Sequence, residues 1–86
     1  MNKAFWLEFV GDGYEIAILV VWYGCMLIEG EWEVNVLGLG GASERFGFDD
    51  DEKDARYLLS LLDHSRRSGW PTKYNVPKRT GQVEVM

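Results

Sequence analysis

Glu31-Trp32-Glu33-Val34-Asn35-Val36 alternates polar and apolar residues without interruption. Successive side chains of a strand leave opposite faces, so this spacing predicts a strand with Trp32, Val34 and Val36 inward. Glu31, Glu33 and Asn35 then point outward. Immediately upstream, Glu29-Gly30 reads as a tight turn. Before it, Ile16 to Ile28 is an uncharged run of thirteen residues between Glu15 and Glu29. A bilayer span needs about 20 apolar residues, and this run is rich in β-branched side chains, so it reads as buried strand. Ile16, Ile18, Val20 and Trp22 are expected on one face, with Gly24 as the place for a bulge or bend. Further upstream, Lys3 to Val10 alternates with Phe5, Leu7 and Phe9 inward, and Gly11-Asp12-Gly13 supplies the turn. Three strands joined by short turns make an antiparallel meander.

Downstream, Gly38-Leu39-Gly40-Gly41-Ala42-Ser43 is a connection and Arg45-Phe46-Gly47-Phe48 a short fourth strand. A helix is expected over about 50–68. Asp49 is its expected N-cap, with Glu52 three residues on. Asp50, Asp51, Glu52 and Asp54 suit the positive end of the helix dipole, and His64, Arg66 and Arg67 suit the negative end. Ala55, Leu58, Leu59 and Leu62 form its apolar stripe, Gly69 its left-handed stop, and Pro71 prevents continuation. Trp70 to Thr80 reads as basic and turn-rich, and Gln82 to Met86 as a last edge strand. The fold expected is α+β: an antiparallel meander of four or five strands with one helix packed on one face. With 86 residues, positions 1–86 are read as a single domain. The expected core is Phe5, Leu7, Phe9, Ile16, Ile18, Val20, Val34, Val36, Leu58, Leu59 and Leu62.

Length and composition also bound the function. The chain is too short for a two-domain enzyme or a full dinucleotide-binding fold, and 47% apolar residues is too many for a disordered chain. One cysteine, Cys25, excludes an internal disulfide framework and suits a reducing compartment. Met1 to Trp6 lacks a long apolar segment, so no secretory leader is expected and the location expected is the cytoplasm, that of a host cell if the chain is phage-encoded. The net charge is −5, unevenly spread. Residues 1–54 hold twelve acids against Lys3, Arg45 and Lys53, whereas residues 55–86 hold Asp63 and Glu84 against six bases. Such a split predicts a two-poled field whose larger pole repels nucleic acid and attracts a basic protein surface.

No motif names a reaction. Asp49 to Asp54 lacks the alternating ligands and glycine of a calcium loop. The 38–43 glycines lack the parallel strand–helix context of a dinucleotide site. His64 suits a helix terminus, and Cys25 in its apolar run behaves as a small hydrophobe. Trp70, Lys73, Tyr74, Lys78 and Arg79 form a basic-aromatic segment of the kind that stacks on single-stranded nucleic acid, but its charges are few. No catalytic residue, cofactor or metal is expected, and neither direct nucleic-acid binding nor a membrane. Alternation instead leaves aromatics outside, Trp6 and either Trp22 or Tyr23, among carboxylates, which is the composition of a protein-binding anchor. The expected partner-binding residues are Glu29, Glu31, Glu33, Asp50, Asp51, Asp54, Trp6 and Tyr23.

Gly13-Tyr14, the apolar run, Gly24-Cys25 and Gly30 together resemble the first hairpin of small antitoxins with a partial ribonuclease-H fold. The chain departs from that pattern at Tyr23, where proline is usual. It departs again at 31–36, where a third strand replaces the helix motif. In size, acidity and aromatic content the chain resembles phage-encoded inhibitors of bacterial defence, anti-CRISPR proteins included. The function expected is that of a small acidic, non-enzymatic binding protein, an inhibitor covering a nucleic-acid-binding surface of a larger protein or nucleoprotein complex. It is expected as a monomer or weak homodimer. The alternatives are an antitoxin-like module that binds one cognate partner and DNA, and a small phage structural or assembly protein.

Overall fold

The computed structural model describes residues 3–77. Its elements are β1 (Phe5–Gly11), β2 (Tyr14–Ile28), β3 (Glu31–Gly38), a 3-10 turn (Leu39–Gly41), β4 (Ser43–Gly47), α1 (Glu52–Ser68) and β5 (Thr72–Asn75). They form an α+β fold: one sheet in the order β4-β3-β2-β1-β5, with α1 packed against one face. β1 to β4 make the antiparallel meander, and β5 returns after the helix to lie parallel to β1. The face under α1 is the inner face and the other the outer face. The β2–β3 turn has two residues, as does the β1–β2 turn at Asp12-Gly13. Glu29 and Gly30 take φ of 51° and 79°, both positive, and glycine meets the second without strain.

Phe5, Leu7, Phe9, Ile18, Val20, Val34, Val36, Leu58 and Leu62 are buried between sheet and helix, joined by Phe46, Phe48, Ala55 and Tyr74. Two expected core residues differ. Leu59 is only half-buried on the flank of α1. Ile16 pairs with Phe9 on the inner face but is 39% exposed.

The larger correction lies in β2. The register slips between Val20 and Trp22, which leaves Val21 as an extra residue. The bulge is therefore at Val21, and Gly24 stays in the ladder opposite Asn35. A bulge shifts the side-chain phase and sharpens the bend of its strand. Before it, even-numbered residues face inward; after it, Tyr23, Cys25 and Leu27 do, opposite Val36, Val34 and Trp32. Trp22 is thus turned outward. The sheet curls enough for Phe46 of β4 to meet Phe9 of β1 and Tyr74 of β5 edge-on, with ring centroids at 5.1 and 5.8 Å.

α1 begins at Glu52 and its N-cap is Asp51, whose carboxylate accepts from the Asp54 N–H at 3.1 Å. Asp49 is not the cap. Its backbone takes φ 53° and its carbonyl accepts from the Trp32 N–H at 2.6 Å, so it straps the chain to β3 before the helix starts. The expected stop holds: Gly69 is left-handed and its N–H bonds to the Ser65 carbonyl. β5 falls in the segment read as turns. Its inward Thr72 bonds Ser65 Oγ of the helix and donates to the Leu61 carbonyl at 3.2 Å. The strand expected at 82–86 lies outside the described residues.

Candidate functional site

The outer face is built by the same alternation that fills the core. β1 presents Trp6, Glu8 and Val10, and the first half of β2 presents Glu15, Ala17 and Leu19. Beyond the bulge β2 presents Trp22, Gly24, Met26 and Ile28, beside Leu37, Asn35, Glu33 and Glu31 of β3. No second layer covers this face among the described residues. Trp6 and Trp22 are 49% and 51% exposed. Gly24 is what lets Trp22 lie down on the sheet: a Cβ there would sit 2.9 Å from the indole. An open groove of about 640 Å³ runs between Trp22 and Ser43–Arg45 of β4.

Glu31 and Glu33 sit on the outer face, as their alternation implies. Glu33 carries one carboxylate oxygen shut off from solvent with no hydrogen-bond partner, an arrangement that favours a cationic donor nearby. Glu29 occupies the hairpin tip. Asp50 and Asp51 join it at the same end, because the Trp32–Asp49 and Phe48–Trp32 backbone bonds tie the chain before α1 to β3. Asp51 is already used as the helix cap, and Asp54 lies exposed in the first turn. Arg56 is drawn into this acidic end, paired with Glu52 at 2.5 Å and lying 5.7 Å from the centroid of the Trp32 ring. Lys3 and Arg66 line one notch near the other end of the helix.

Tyr23 does not belong to this surface. The bulge puts it on the inner face, edge-on to Phe5 and hydrogen-bonded through its hydroxyl to Asp63 of α1. Burial, and then the Asp63 carboxylate, push its phenol up to about 12. Trp22 holds the outward position instead. The uncharged run hides this, since thirteen apolar residues show no alternation from which a phase can be read. Met26 and Ile28 escape sequence reading for the same reason. In the basic-aromatic segment Tyr74 is buried on the inner face, unavailable for stacking on a base, and Lys73 lies 3.9 Å from Glu8 across the outer face. Lys78 and Arg79 lie outside the described residues. No group of three carboxylate, thiol or imidazole side chains converges to hold a metal among the described residues, and none of its helices is long and apolar enough to cross a membrane. No family model, curated protein or solved structure matches the chain.

Proposed function

We propose that this protein is a non-enzymatic binding module that docks through the outer face of its sheet onto a basic surface of a larger, nucleic-acid-handling protein. The observation that supports this reading is the pair of half-exposed indoles, Trp6 and Trp22, on a sheet face carrying Glu8, Glu15, Glu31 and Glu33. Aromatics anchor an interface once water is excluded from around them. Carboxylates at the rim steer association towards Lys- and Arg-rich surfaces and act mainly on the association rate. The partner this face fits has an apolar patch ringed by Lys and Arg, the side chains that also contact a phosphate backbone. Occupying it keeps nucleic acid off, which is inhibition of the anti-CRISPR or wider anti-defence kind.

The test is competition. A partner captured at low salt should lose its nucleic-acid binding when this protein is added. Trp6→Ala with Trp22→Ala should abolish that competition, and Glu31→Lys with Glu33→Lys should slow association while dissociation changes less. Competition that survives both double variants, in folded protein, overturns the reading. Direct binding of DNA by this chain, weakened by Lys73→Glu, would favour the antitoxin-like alternative instead.

A further inference from the structure

β2 is longer than either of its neighbours. β1 pairs with it only from Tyr14 to Val20, and β3 only from Val20 to Ile28. On the β1 side, Trp22 to Ile28 therefore has no ladder partner among the described residues. The backbone groups left over follow from the turn. A two-residue turn closes on a hydrogen-bonded pair, here Ile28 and Glu31, and such pairs recur at every second residue. Trp22, Gly24, Met26 and Ile28 thus bond to β3, while Tyr23, Cys25 and Leu27 aim their N–H and C=O groups away from it. Natural sheets blunt such an edge with charges or proline. Val21 to Ile28 contains neither, and Leu27 is 55% exposed.

We propose that this edge pairs with the same edge of a second copy of the chain, antiparallel about a two-fold axis at Cys25. Two features select that occupant and that register. Pairing about Cys25 engages all three residues whose backbone groups face the edge: Tyr23 with Leu27 of the second copy, Cys25 with its counterpart, and Leu27 with Tyr23, about six backbone hydrogen bonds in all. The same register sets Glu29 of the second copy opposite Val21. Val21 lines the notch with Lys3 and Arg66, so an acidic hairpin tip meets a basic notch twice, once in each copy. On the outer face Met26 of one copy comes opposite Gly24 of the other, where the Trp22 ring lies over the strand and sulfur can meet its edge. The proposal stands apart from the docking reading, since it uses the strand edge and leaves the outer faces open as one continuous surface.

Sedimentation of the full chain across about 1–200 µM should show conversion from one to two copies. Cross-strand hydrogen-bonded Cα atoms lie about 5.5 Å apart, within disulfide reach. Diamide should therefore link Cys25 to Cys25 at concentrations where the dimer forms, and not in urea. Glu29→Lys should weaken association at least tenfold, and adding Lys3→Glu should restore much of it. Leu27→Pro removes an N–H that has no partner among the described residues and should abolish pairing while the circular dichroism stays native. A single-copy mass throughout the range overturns the proposal. So does a dimer that diamide does not link or that both Glu29→Lys and Leu27→Pro leave intact.

Discussion

The inner and outer faces of the sheet are made by the same strands, whose side chains alternate between them apart from the bulge at Val21, yet they have opposite solvation. Inward, Leu7, Val34, Leu58 and Leu62 have no contact with water. Outward, Trp6 and Trp22 are half in water and are interleaved with carboxylates. Burying a large apolar side chain contributes about 1.5–3 kcal/mol, and half-exposed indoles realise only part of that in the free molecule. The inner face therefore carries stability, and the outer face keeps apolar area available for association.

The sharpest way to break this contrast is to remove a side chain from the inner face. Leu58→Ala should destabilise the protein by about 3 kcal/mol, read as a lower denaturation midpoint at unchanged slope, because the lost methyl groups leave a cavity between α1 and the sheet. A loss under about 1 kcal/mol would mean the helix layer is loosely held. Next in size, Asp51→Ala should cost about 1 kcal/mol by freeing the Asp54 N–H, whereas Asp49→Asn should cost almost nothing, since asparagine tolerates the left-handed backbone. Equal losses at the two positions would contradict the cap assignment.

A smaller, pH-dependent effect tests which face holds Tyr23. The folded chain keeps its phenol protonated up to about 12, and the unfolded chain releases that proton near 10, the ordinary value. Its contribution is thus present in full below pH 10 and is lost as the pH rises towards 12. Tyr23→Phe should flatten that part of the stability profile relative to the parent chain; identical profiles would place Tyr23 away from Asp63. The smallest effect is expected outside. Trp22→Ala should change stability by about 0.5 kcal/mol, the scale of a surface substitution. A loss as large as that of Leu58→Ala would make the outer face structural.

Most of the architecture was legible because alternation and capping signals agree along the chain. Phe5–Leu7–Phe9 and Val34–Val36 announced the inner face, and the Ala55–Leu58–Leu62 stripe with Gly69 announced the helix. Three features were not legible, each for a physical reason. The phase of β2 beyond Val20 has no polar residue to report it. Asp49 has the chemistry of a cap but is held by a backbone bond to Trp32, a contact 17 positions away in the chain. β5 is four residues long between Pro71 and Pro77, too short for its pattern to stand out from a turn-rich segment. Of the candidate site, Glu31, Glu33 and Trp6 were placed correctly on the outer face by parity alone, while Tyr23 and Trp22 exchanged places through the bulge.

Val21 gives β2 one residue of slack. Were it deleted, Val20 would still face in, Trp22 out and Tyr23 in, and both ladders could keep their partners with strict alternation throughout. A shortened strand would lose its elbow instead: without the sharpened bend, β4 has less reason to swing Phe46 back against Phe9. The position is thus a place where chain length can change without exchanging inside for outside, and what varies with it is how tightly the sheet wraps its helix.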